Sequence, residues 1–112
     1  MVLVLEDDKN VQESVRRVAE GLGYRVVIAQ SLAEAKRLLG RIARPCLVLL
    51  DALMTEGMEA MAQLGASYPL ATIPVRVSAS NVRRMSKRSL HLELLREALV
   101  QHCGASVLEP PE

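Results

Sequence analysis

Two apolar runs end in acid. Residues 2–8 read Val-Leu-Val-Leu-Glu-Asp-Asp, and residues 47–51 read Leu-Val-Leu-Leu-Asp. A short continuous apolar run is the pattern of a strand buried on both faces. The acids then fall at the carboxyl ends of two strands, where ligands bind in an open parallel sheet. Glu6, Asp7 and Asp51 are therefore expected to converge on one small site. Clustered like charge is unfavourable unless a cation balances it, so these residue types at this spacing point to a metal. Asp8 is expected to act as a helix cap instead of a ligand.

The elements that must hold these acids follow from periodicity. Strands are expected at Val2–Leu5, Tyr24–Ala29, Cys46–Leu50 and Thr72–Val77. The first helix is capped by Asp8 or Asn10, carries Val11, Val15, Val18, Ala19 and Leu22 inward, and closes at Gly23. Ser31 and Glu34 form a capping box for a second helix with Ala35, Leu38, Leu39 and Ile42 buried. A third helix is expected over 57–66, with Met58, Met61, Ala62 and Leu64 on its apolar side. The last helix runs from about Ser89 to Cys103, with Leu92, Leu94, Leu95, Ala98 and Leu99 inward. Strands alternating with helices predict an α/β doubly wound parallel sheet with right-handed crossovers. Residues 1–104 form one domain, and 105–112 are expected to be a flexible C-terminal tail.

Composition narrows the function classes. The chain has 112 residues, of which 50% are hydrophobic, yet it lacks Phe and Trp. With only Tyr24 and Tyr68 aromatic, base-stacking platforms for nucleic acid are not expected. A formal charge of +1 creates no field that would draw nucleic acid or membrane. The apolar runs are too short to span a bilayer, and because the sequence enters its first strand at Val2, no signal peptide is expected. Cys46 and Cys103 lack metal or redox spacing. They are expected to be free thiols, with Cys46 packed as a small core residue, in a cytoplasmic protein. His91 and His102 have no partner at ligand spacing.

Taken together, Val-Leu-Val-Leu-Glu-Asp-Asp, then Gly21-Leu-Gly-Tyr-Arg-Val-Val-Ile-Ala29, then Arg44-Pro-Cys-Leu-Val-Leu-Leu-Asp-Ala-Leu-Met54, then Ile73-Pro-Val-Arg-Val-Ser-Ala-Ser80 resemble the receiver domain of two-component response regulators. The resemblance covers residues 2–103 and implies a flavodoxin-like fold of four to five strands. It implies that Asp51 accepts a phosphoryl group from a histidine kinase or phosphotransfer protein. It also implies Mg²⁺, held by Asp7 directly, by Glu6 mostly through water, by Asp51 and by the backbone carbonyl of Leu53. Ser78 matches the hydroxyl residue that binds the phosphoryl group, although Ala79 or Ser80 competes for that place. Lys87 matches the lysine that pairs with the phosphoryl group. The family's proline after that lysine is replaced by Arg88, and Thr55 stands where the family has another proline.

The second half departs from the family. Eight residues, 79–86, separate Ser78 from Lys87. A crossover between parallel strands needs about a dozen, so the fourth helix is expected to be missing or vestigial, and a fifth strand likewise. Arg76 interrupts the fourth strand, as charge does on an edge. The exposed flank of strand four and the last helix is expected to offer a partner or homodimer surface. The leading expectation is a non-enzymatic, phosphorylatable receiver. The alternative is a degenerate pseudo-receiver that binds proteins without phosphorylation. A haloacid-dehalogenase-like phosphohydrolase is remote, because Leu53 occupies the position of that family's second Asp.

Overall fold

The computed structural model describes residues 1–51, 53–54, 56–78 and 87–104, with 75–78 and 87–90 described by their backbone alone. In chain order the elements are β1 (Val2–Leu5), α1 (Lys9–Gly21), β2 (Val26–Ala29), α2 (Leu32–Leu39), β3 (Leu47–Leu50), α3 (Gly57–Gly65), β4 (Leu70–Thr72), β5 (Val75–Ser78), β6 (Lys87–Leu90) and α4 (Leu92–Cys103). Four strands form a parallel sheet in the order β2-β1-β3-β4. The register pairs Leu5 with Leu50, so the acids that follow β1 and β3 leave the sheet side by side.

Alternation along the central strands splits the interior into two layers. Val2, Val4, Leu47 and Leu49 pack with Val11, Val15 and Ala19 of α1 and Leu95 and Leu99 of α4. Leu3, Leu5, Val48 and Leu50 pack with Leu32 and Ala35 of α2 and Ala60 and Leu64 of α3. Every residue of β1 and β3 is buried, as a doubly wound sheet requires. At about 1.5–3 kcal/mol for each buried large aliphatic side chain, these eight residues fix the positions of the strand ends. The α/β doubly wound parallel sheet expected from periodicity is the one observed. Asp8, not Asn10, caps α1, its carboxylate accepting the Asn10 and Val11 N–H groups at 2.8 and 3.3 Å. Gly23 takes the left-handed turn into β2, with φ 93°.

The expected fourth strand, Thr72–Val77, is two strands. Ile73 N–H still bonds Leu50 O at 2.8 Å, but Pro74 has no N–H and cannot continue the ladder. β5 instead pairs antiparallel with β6, Val75 opposite Leu90 and Ser78 opposite Lys87. The His91 N–H closes the base of this hairpin on Pro74 O at 2.7 Å. The expected beginning of the last helix at Ser89 is therefore strand, and α4 starts at Leu92 behind the His91 cap. The expected fourth-helix region, 79–86, lies outside the described residues, as do Thr55 and 105–112.

Two helix faces differ from expectation. Met58 is 82% exposed and Met61 is also exposed, whereas Gly57, Ala60 and Leu64 face inward. Leu92 (54% exposed) and Leu94 point outward, whereas Leu95 and Leu99 are buried. Both helices carry apolar residues on more than one face, so periodicity left their rotation open.

The cysteines are not free thiols. Cys46 and Cys103 form a disulfide with Cα atoms 5.2 Å apart, inside the usual bridging range. α4 lies against β3 through Leu95, Leu99, Leu47 and Leu49, which carries its last residue to the start of that strand. Beside the bridge, the Tyr24 hydroxyl donates to the carbonyl of Gly104. A separation of 57 residues leaves no local trace of such a pairing.

The face assignment of α4 is testable by denaturant unfolding. Leu95→Ala should cost about 2–5 kcal/mol, whereas Leu92→Ala and Leu94→Ala should stay within roughly 0.5 kcal/mol of the parent. The reverse order would place the wrong face inward.

Candidate functional site

The site is built where β1 and β3 run out. Leu5 and Leu50 are the last residues of neighbouring strands in register. Glu6 continues the ladder with its N–H on Ala29 O at 3.0 Å, and Asp51 with its N–H on Leu5 O at 3.2 Å. The backbone thus aims both residues before any side-chain interaction acts. Glu6 is 0% exposed and Asp51 3% exposed, while Asp7 faces solvent. One carboxylate oxygen of each lies within 4.8 Å of the others.

Local hydrogen bonds hold Glu6 and Asp51 in place. The Asp8 N–H donates to Glu6 Oε1 at 3.1 Å. The Leu53 N–H donates to Asp51 Oδ1 at 2.9 Å, and Met54 N–H returns to Asp51 O at 3.2 Å. Gln12, buried on the first turns of α1, donates Nε2–H to Glu6 O at 2.6 Å. Glu56 Oε1 accepts the Leu32 N–H at 3.1 Å, tying the loop after Asp51 to the start of α2. Neither Gln12 nor Glu56 was legible as a site residue: their contacts span 6 and 24 positions and follow no motif spacing.

The donor set fits a hard divalent cation. All three side chains offer carboxylate oxygen, two of them out of bulk water. With Mg–O near 2.1 Å, neighbouring oxygens of the octahedron lie about 3 Å apart and opposite ones about 4 Å. Donor atoms within 4.8 Å of each other match that scale, and the exposed side at Asp7 leaves room for the waters Mg²⁺ retains. Like charges this close repel by about 3 kcal/mol per pair at an effective dielectric near 20, which a bound cation would offset.

The other expected residues are placed differently. Leu53 sits in the turn directly after Asp51. Ser78 ends β5 and Lys87 begins β6, opposite each other in the hairpin and not in the parallel sheet. Ala79 and Ser80, the other candidates for the hydroxyl position, lie outside the described residues.

No family model matches the chain. Relatives are nevertheless found. The response regulator MprA of Mycobacterium sp. (strain KMS) is 38% identical over 84 residues, covering 70% of this chain. MprA of Mycobacterium leprae (strain TN) is 34% identical over the same length. The chain is a receiver-like domain related to the response regulators. It spans 36% of the length of these curated relatives. Among solved structures, the anti-anti-sigma factor PhyR of Bartonella quintana, complexed with the anti-sigma factor NepR, superimposes with a TM-score of 0.58 at 18% identity. That match covers 89% of this chain and 45% of PhyR, and it supports the fold. The acidic pocket of this receiver is thus assembled at the carboxyl edge of a sheet that recurs in another protein. No helix among the described residues is long and apolar enough to cross a membrane.

Charge crowding gives a direct test. Asp51→Asn keeps an oxygen to accept the Leu53 N–H but removes one charge. Without divalent ions it should raise stability by about 1–3 kcal/mol. Mg²⁺ at 100 times its Kd should add about 2.7 kcal/mol to the parent and nothing comparable to the variant. Equal Mg²⁺ responses would show that the ion does not bind these acids.

Proposed function

We propose that this receiver accepts a phosphoryl group on Asp51 from the phosphohistidine of a histidine kinase or phosphotransfer protein, with Mg²⁺ as cofactor. The reading rests on one observation, the convergence of Glu6, Asp7 and Asp51 within 4.8 Å at adjacent strand ends. An Asp51 carboxylate oxygen bonds to phosphorus as the phosphorus–nitrogen bond to histidine breaks, the nucleophilic use of a carboxylate. The Leu53 N–H on Oδ1 fixes the orientation of that carboxylate. Asp7, Asp51 and the Leu53 carbonyl would hold Mg²⁺, with Glu6 joining mostly through water. The ion supplies charge neutralisation at the phosphoryl oxygens. Ser78 and Lys87 would supply the hydroxyl and ammonium for the phosphoryl group, as the resemblance to receiver domains implies. The protein acts as a signal receiver in the cytoplasm, not as a turnover enzyme. Its partners are proteins, as they are for PhyR, and a second copy could dock on the flank formed by β5, β6 and α4.

A second reading has its own observation. The antiparallel β5–β6 pair stands where a receiver carries a helical crossover and a further parallel strand. A pseudo-receiver that binds proteins without phosphorylation would tolerate that change. The two separate cleanly. With acetyl phosphate and Mg²⁺, the parent should gain one alkali-labile phosphoryl group by intact mass, and Asp51→Asn should gain none. A parent that stays unmodified by acetyl phosphate and by a cognate phosphohistidine donor overturns the first reading in favour of the second.

A further inference from the structure

We propose that the Cys46–Cys103 bond is a thiol–disulfide switch that sets how firmly the end of α4 is held to the sheet. The inference rests on the cytoplasmic placement proposed above, because disulfides in that compartment are mostly transient and redox-sensing.

The bond joins the start of a fully buried strand to the exposed last turn of a helix. Cys46 leads directly into Leu47–Leu50, all buried in the sheet. Cys103 ends α4, beyond the last fully buried side chain of that helix, Leu99. The final turn is exposed at Val100, Gln101 and His102. Its described ties to the rest of the fold are the disulfide, packing of the Cys103 side chain, and the bond from the Tyr24 hydroxyl to Gly104 O. Losing the covalent tie therefore acts on the last turn first, while Leu95 and Leu99 keep the helix body on β3. Both cysteines are partly buried, unlike the sealed core residues Leu47–Leu50 and Leu99 beside them.

The reaction balances with two thiols of a reductant. One thiolate attacks a sulfur of the bridge, breaking the S–S bond and forming a mixed disulfide. The second thiol displaces it. Cys46 and Cys103 leave as two thiols, having taken up two electrons and two protons, and the reductant leaves as its disulfide. The switch stands at the opposite end of β3 from Asp51, so it offers an input independent of the acidic site.

The test equilibrates the full chain with graded mixtures of reduced and oxidised glutathione. Thiols are counted by alkylation and intact mass, and hydrogen exchange is read on the same samples. The bond should be half reduced within the series. Reduction should speed exchange of the α4 amides after Leu99 by about tenfold or more while β1 and β3 amides keep their rates. Cys46→Ser/Cys103→Ser should reproduce the reduced pattern and ignore the mixtures, and parent protein reduced by a phosphine serves if that variant does not fold. Asp51→Asn should respond like the parent, which separates this switch from the phosphoacceptor reading. A bridge that resists every mixture without denaturant is a permanent staple. A bridge that never forms, exchange unchanged by reduction, or exchange raised equally across the sheet would each also overturn the proposal.

Discussion

Two carboxylates nearly out of water at the ends of neighbouring strands are the constraint around which this domain is arranged. Burial of like charge is expensive, so Glu6 and Asp51 stay where they are only because stronger terms hold them. The eight aliphatic residues of β1 and β3 supply those terms, sealed between α1 and α4 on one side and α2 and α3 on the other. Around the acids the backbone is spent on fixing them. Asp8 N–H goes to Glu6, Leu53 N–H to Asp51, and Gln12 to the carbonyl between the first two acids. The result is a preorganised anionic pocket with an open side at Asp7, the geometry that oxygen-seeking divalent ions use.

The two halves of the chain obey different rules. Through β4 every connection is a strand–helix–strand step, and the sheet stays parallel. At Pro74 the ladder loses a donor, and the chain turns back on itself as the β5–β6 hairpin. A parallel fifth strand would have needed a helical crossover, for which 79–86 is too short. The acid cluster of Glu6, Asp7 and Asp51 is built entirely from the first half, whereas the β5–β6 pair and α4 belong to the second.

How much of this was legible in the sequence depends on the range of each interaction. Val2–Leu5 and Leu47–Leu50 were readable because complete burial leaves an unbroken apolar run, and Asp8 because a cap lies beside its helix. The acid cluster followed from strand ends alone. The split at Pro74 had its signal in the proline itself, which the alternation of Ile73, Val75 and Val77 masked. The inward faces of α3 and α4 were not readable, because Met58, Leu92 and Leu94 are apolar yet exposed. The disulfide, the Gln12 bond and the Glu56 bridge are tertiary events without a local pattern.

Paramagnetic mapping probes the anionic pocket most directly. Mn²⁺ titrated into ¹⁵N-labelled protein should broaden the amides of Glu6, Asp7, Asp8, Asp51 and Leu53 first, and excess Mg²⁺ should restore them. Broadening that begins elsewhere, or that Mg²⁺ does not reverse, would show that Glu6, Asp7 and Asp51 do not form a divalent-cation site.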